Sequence, residues 1–518
     1  MASREPRIGR NRRMPAAIVG AIVLVAAIAP STLAETGWKT TTTAMLQPSA
    51  GGVSVKPLIT VGDTLPDGYR FEAIPDGIAI DPTDHTRLDV YVNHETSAVP
   101  FPYNSGTQVG LTDFDNAQMS HLVLKRGSGQ VVSGGFAIPS DANFQRFCSN
   151  FYAGAAESFD RPLVLASEET SDFVNRTGAA WPAVAGAEQA GVVVAYDPAL
   201  DAFQAIYGLG RMNHENSIAV PGYGHPVLVT GDDTFSAPSS QLYLYSADSA
   251  DAVWNDEGTL YGFVSDDPAI NDYGDLSGSM SVSGHFLAVP HAIAIGDQAG
   301  LETWSNANNV FQFIRIEDLA YDRNDPNVVY FADTGEPRAI PDPSPTGTRL
   351  VRGPSGTTGP YMNGRIFRLE LDPSDPLTVD SLSILVDGDA GGYGNAMALH
   401  QPDNIETTAN SLLIQEDEGG HNAGFSGASN NRIWQYTFAT GEMRVVATVD
   451  QSLDPSASTG SWETTGIVDA SAYFGPGAFL VNVQAHSLII DTAPLPAVPT
   501  VTQKREGGQM LILRIPGA

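Results

Sequence analysis

One cysteine, Cys148, stands among 518 residues. No intramolecular disulfide is possible, so the fold must rest on its buried core. Positive charge is also scarce: 27 Lys and Arg face 59 Asp and Glu, a formal net charge of −32. Phosphate-rich partners would be repelled, so nucleic acid and anionic membrane surfaces are not expected as partners. Apolar runs of any length are limited to residues 16–29, too short for a comfortable membrane span. Sustained helical periodicity is rare. The common catalytic signatures are missing as well: there is no G-x-S-x-G elbow, no P-loop and no H-E-x-x-H.

What is present begins with a targeting pattern. Arg4, Arg7, Arg10, Arg12 and Arg13 precede the apolar run, and Thr32-Leu33-Ala34 offers small residues for cleavage. Residues 1–34 are therefore expected to be a signal peptide, and the protein secreted, periplasmic or otherwise extracellular, with no membrane contact after cleavage. Removal of that segment takes five basic residues and one acidic one, leaving 22 and 58, a formal charge of −36. The remaining chain is turn-rich, with 52 Gly and 35 Pro, which favours strands.

A single unit recurs through it. FIRIEDLAYDRNDPNVVYFADTG (313–335) runs from an acidic pair through alternating apolar residues and an Asp-Asn-Pro turn to a strand ending on a second acid. The same order appears at 74–95, 213–233 and 401–417, and in degenerate form at 462–486. RPLVLASEETSD (161–172) is a partial sixth copy. Hairpins are expected at 121–138, turning at Gly127-Ser128-Gly129, and at 191–210, turning at Asp197-Pro198. Residues 336–363 read as a surface loop. Short strands in repeated units predict an all-β, six-bladed β-propeller over 35–518, with loop-rich insertions. The terminal LILRIP is placed to close it against the strand-like 55–62; a pair of β-sandwiches is the competing architecture.

In a propeller, acids at one phase of each repeat converge on the central channel. Asp76, Glu95, Glu168, Glu169, Glu215, Asp232, Asp233, Glu317, Asp318, Asp333, Asp403, Asp417 and Glu463 are the candidates. Many Asp residues near Gly, Asn or Pro simply cap turns. Recurrence at one phase points instead to bound multivalent cations, and carboxylate oxygens suit Ca²⁺. His94 and His214, in a shared Asn-His-Glu tripeptide, read as structural hydrogen bonders. Cys148 is either a buried small hydrophobe or a metal ligand; its flanks read as loop.

Together, NHE, the single Cys followed by a strand ending in Glu-Glu, GRMNHENS, RIEDLAYD, QPDN…LLIQED and WETTG…FLVNVQ resemble the PhoX family of secreted alkaline phosphatases. That resemblance implies a six-bladed propeller holding an iron–calcium cluster, with Fe³⁺ and Ca²⁺ as cofactors, that hydrolyses phosphate monoesters. It implies Cys148 as an iron ligand, Glu215, Glu317 and Asp417 as metal ligands, and Glu95 and Glu169 as further ones. Arg315 would hold the phosphate beside Glu317, the two forming the catalytic pair. Arg315 lies two residues from Glu317 on an alternating strand, so both side chains share a face; an inter-blade ion pair is its other reading. The expected partner is a small phosphate ester and the expected state a monomer. Two other functions fit a propeller of this kind: a calcium-stabilised binding or scaffold protein without catalytic iron, and another propeller hydrolase, phytase-like or lactonase-like.

Overall fold

The computed structural model describes residues 37–518 except 83, 101–109, 235–239, 346–348, 355–356, 393–394, 396, 418–428 and 497. The expected signal peptide therefore lies outside the described residues. Within 37–518 the architecture is all-β, with only short helices.

Six four-stranded antiparallel units follow one another along the chain. Their first strands are Pro75–Asp81, Phe147–Ala153, His214–Ala219, Ile316–Tyr321, Pro402–Thr407 and Glu463–Asp469. Each of these touches the next, and the last touches the first, so the six inner strands form a closed ring. They are covered on both faces, which is why IPDGIAID and FIRIEDLAY carry apolar residues with little polar alternation. The outer strands face water on one side, and Glu442–Val449 alternates accordingly.

Close approach at the ring needs glycine at two places. A Cβ on Gly77 would stand 2.4 Å from the Asn150 nitrogen, where the first unit meets the second. At Gly466 it would stand 2.1 Å from the Asp76 carbonyl, and φ there is +46°. Sixth and first units meet at that point.

The ring closes as the sequence predicts. Ser54–Thr60 pairs antiparallel with Val501–Arg514, from Ser54↔Arg514 to Thr60↔Gln509, and so completes the sixth unit. Leu46–Pro48 adds an edge to the fifth. Ser281–Ala288 pairs with Thr259–Ser265 on one side and Asp375–Asp387 on the other, joining the third and fourth units in one sheet and leaving neither outer edge bare. The hairpins at 121–138 and 191–210 are found. Outer turns absorb many of the surplus acids: Asp322 Oδ1 accepts from the Asn324 and Asp325 N–H groups, and Asp372 and Asp197 cap their turns likewise.

Two expectations need correction. Residues 336–363 are not simply loop, because Ala339–Pro341 and Leu350–Arg352 pair as a small ribbon and Ala339 and Met362 are buried. Cys148 lies not in a loop but in the inner strand Phe147–Ala153, 3% exposed. That strand opens the second unit, and the Glu-Glu strand is its neighbour.

Candidate metal centre

The inner strands share a bulge that builds the site. In the first unit Pro75↔His94 resumes as Ile78↔Val92, which places one extra residue on the inner strand. The same slip follows Phe147↔Glu168, His214↔Asp232, Ile316↔Asp333 and Pro402↔Glu416. The first residues inside the bulges are Asp76, Cys148, Glu215, Glu317 and Asp403. In the sixth unit the slip falls at Gly466, so Thr465 takes this place and Glu463 enters two residues earlier. A second tier comes from the residue after each neighbouring strand. Its N–H donates to the carbonyl two residues ahead of the bulge position: Glu95 to Ile74 (3.1 Å), Glu169 to Arg146 (2.9 Å), Asp233 to Asn213 (2.8 Å), Thr334 to Arg315 (3.0 Å) and Asp417 to Gln401 (3.0 Å).

These tiers bring nine donors into one continuous line. Asp76, Glu95 and Cys148 have ligand atoms within 4.8 Å of one another. So do Cys148, Glu169 and Glu215; Glu215, Glu317 and Asp403; and Asp403, Asp417 and Glu463. Cys148, Glu215 and Asp403 are each shared by two groups. All six residues assigned as ligands by resemblance are therefore here, joined by Asp76, Asp403 and Glu463 from the repeated acids. Asp233 lies against this line, hydrogen-bonded to Glu169 and ion-paired with Arg315, which also reaches Glu317 Oε1 at 3.1 Å. Arg315 thus bridges the third and fourth units and is 6% exposed.

Other acids of the repeat do not face this line. Glu168 accepts from Arg176 and from the Gln145 and Gly191 N–H groups. Asp333 caps Ile314 and Gly335, Asp232 accepts from Thr234, and Asp318 accepts from Leu319 and Ile405. For these four the turn-and-cap role holds. His94 and His214 are buried, each with both ring nitrogens in hydrogen bonds: to Ala73 O and Ser120 Oγ, and to Thr230 Oγ1 and Gly210 O.

Electrostatics identify what the line needs. Burial, then the charge of neighbouring acids, pushes Asp76, Glu169, Glu215, Asp403 and Glu463 well above the usual carboxylate range. Glu317 is raised too, chiefly by burial, although Arg315 pulls it down. The Cys148 thiol, donating to Glu169 Oε2 at 2.8 Å, is raised by burial and by Glu169. Opposing this are few cations. Burial works against a charge on His486, yet hydrogen bonds to Glu463 (3.2 Å) and Glu506 outweigh it and raise its pKa. So many close carboxylates must either hold protons or share multivalent cations. Eight carboxylates and one thiol are a donor set that fits hard cations, with one softer corner at Cys148.

Behind the line the ring is sealed. Ser149 Oγ donates to Glu215 Oε1 (3.1 Å), Asn404 Nδ2 to Ser149 Oγ (2.9 Å), and the Gly466 N–H to Asn404 Oδ1 (3.0 Å). A cavity of about 200 Å³ opens beyond, at the far end of the inner strands, between Tyr152, Tyr321, Arg323 and Asp469. It contains none of the nine donors.

The class so defined is an all-β fold of the propeller type with a polyacidic, metal-competent centre at one end of its ring. Its fold is similar to that of Pseudomonas fluorescens PhoX in complex with vanadate, a transition state analogue, with 18% identity over 92% of this chain and 97% of that one, TM-score 0.61. Weaker likenesses are to the NanB sialidase of Streptococcus pneumoniae (8% identity, 86% of this chain, 69% of that one, TM-score 0.40) and Sqt1 of Chaetomium thermophilum (10%, 90%, 99%, 0.32). No family model matches the chain, and no curated protein does.

Proposed function

We propose that the six units are the blades of one six-bladed propeller domain, exported behind the signal at 1–34, and that the protein is a secreted metal-dependent phosphomonoesterase. The observation that carries this reading is the unbroken line of nine donors with a buried arginine set against its middle, at Glu317; the likeness of fold to a vanadate-bound phosphatase supports it. Cys148, Glu169 and Glu215 would hold Fe³⁺, and the carboxylates on either side Ca²⁺. When bound, such cations supply Lewis acidity and reverse the local field that would otherwise repel a phosphate. The chain's own residues do the rest. Arg315 presents a planar fork to two phosphate oxygens, and Asp233 and Glu317 fix its orientation. Sealing of the ring below Glu215 confines the substrate to one mouth. The substrate is a small phosphate ester and the protein acts as a monomer.

Elemental analysis of natively purified protein, run beside a phosphomonoester assay, tests this. Iron with calcium and turnover is expected. Calcium alone without turnover would replace the enzyme with a calcium-stabilised binding module, and turnover of lactones in place of phosphate esters would make it another propeller hydrolase. Cys148→Ser gives a second check. The substitution keeps a donor to Glu169 in a tightly packed strand, so fold and calcium content should persist while iron and activity are lost. Metal stoichiometry and a thermal melt of the variant read this directly; full iron content would remove the thiolate from the centre.

A further inference from the structure

All six inner strands line the cavity of about 200 Å³ beyond the seal, so it is the far half of the channel rather than a cleft between two units. Ile78, Ile80, Leu319 and Ile467 give it aliphatic walls. Polar groups stand at its two ends. Asn150 is at the floor, level with Gly77, where a Cβ would stand 2.4 Å from the Asn150 nitrogen; Gly466 packs against Gly77 from the other side. Asp469 is at the rim, three residues beyond Gly466 on one strand, a rise of about 10 Å.

Both ends carry an acceptor that the chain does not use. Asn150 is 6% exposed; its Nδ2 donates to Asn93 Oδ1 at 3.2 Å, while its Oδ1 accepts nothing. Asp469 is half-buried; its Oδ1 accepts from the Ser471 N–H (2.8 Å), and its Oδ2 has no hydrogen-bond partner among the described residues. Charge is unbalanced as well. Among the described residues, Glu157, Asp318, Glu406 and Asp469 line the cavity against one guanidinium, Arg323, which is engaged with Glu406 at 2.8 Å. Glu157 accepts from the Tyr321 hydroxyl and the Gly154 N–H, and Asp318 from the Asn216 amide and two backbone N–H groups, so both are hydrogen-bonded to neutral donors alone. The sealed channel therefore ends in an aliphatic tube with surplus negative charge and open acceptors, which lacks cationic donors at either end.

We propose that this end of the channel binds a short aliphatic diamine as its dication, one ammonium group at Asn150 and Asp318, the other at Asp469, and the methylenes against the aliphatic walls. Each ammonium brings three donors and one charge, which is what both ends lack. An extended five-carbon diamine covers the interval from floor to rim once a hydrogen bond of about 2.9 Å is added at each head. A monoamine of the same length leaves one end unfilled, and a diol meets the acceptors without balancing the charge. The groups of close ligand atoms all lie at the other end of the ring, which disfavours a metal ion here.

Calorimetry on the natively purified full chain, with 1,5-diaminopentane, pentylamine and 1,5-pentanediol as probes, tests this. The diamine should bind one to one with a Kd on the order of 1 mM or tighter. It should bind at least ~10-fold more tightly than the monoamine, and the diol more weakly still. Asp469→Asn keeps the acceptor for the Ser471 N–H but removes the charge, and should bring the diamine to the level of the monoamine. Val468→Trp adds bulk to a half-buried lining residue and should abolish binding, with the fold checked by a thermal melt. Diamine, monoamine and diol of equal affinity would reduce the cavity to an apolar hole and overturn the proposal. So would diamine affinity unchanged in folded Asp469→Asn, which would place the amine elsewhere on this acidic protein.

Discussion

Stripping the metals should lower the melting temperature steeply at pH 8 and far less at pH 5. Asp76, Glu169, Glu215, Glu317, Asp403 and Glu463 all have raised pKa values in the folded, metal-free chain. A carboxyl group raised in the folded state contributes its stability fully below its unfolded pKa, about 4. That stability is lost as pH rises through the folded value. Protons therefore stand in for cations at low pH, and nothing does at high pH. Two cation sites held at ~1,000 times their Kd would add about 8 kcal/mol, a shift on the order of 10 °C for a domain of this size. Melts with and without chelator at the two pH values measure the gap. A melting temperature insensitive to chelation at pH 8 would reduce the nine donors to ordinary structural acids.

The second large effect belongs to Arg315. Replacement by Lys keeps one charge near Asp233 and Glu317 but loses the fork. Replacement by Ala leaves both buried carboxylates uncompensated, a change that costs about 3–5 kcal/mol of stability when a buried pair is broken. If the guanidinium steadies the phosphoryl oxygens in the transition state, kcat/KM should fall about 10-fold for Arg315→Lys and ~10²- to 10³-fold for Arg315→Ala. Inorganic phosphate affinity should fall in parallel, which a purely structural ion pair would not produce. Wild-type kinetics in folded Arg315→Lys and Arg315→Ala would leave only the bridge between the third and fourth units.

Much of this was legible from residues alone, because an inner strand flanked by acids recurs with its turns. The limits are equally physical. Glu168 and Glu169, Asp232 and Asp233, and Glu317 and Asp318 are adjacent pairs in which one member serves a turn or cap and the other faces the centre, as a donor or, for Asp233, as the partner of Arg315. Which is which depends on the bulge, and a period-2 pattern shifted by one residue reverses the assignment. The second unit was harder still. Its bulge position holds a thiol where its neighbours hold carboxylates, and the surrounding QRFCSN looks like loop because its polar groups are conspicuous. In the ring they are consumed by neighbours, as when Asn93 Nδ2 donates to the Cys148 carbonyl at 2.8 Å. Asp76, Asp403 and Glu463 were visible as repeated acids, but only the closed ring sets them beside the residues named by resemblance.

The pairing of Ser54–Thr60 with Val501–Arg514 carries a consequence for when the centre can exist. Its donors run from Asp76 to Glu463, and the strand that closes the circle, Val501–Arg514, is synthesised after all of them. A growing chain thus holds a string of acids on unfinished arcs, each free to bind ions singly and weakly. Assembly of the full set waits on the closing strand, and the long sequence span of that contact slows closure. A fully assembled set of donors is therefore also a sign that Ser54–Thr60 and Val501–Arg514 have met.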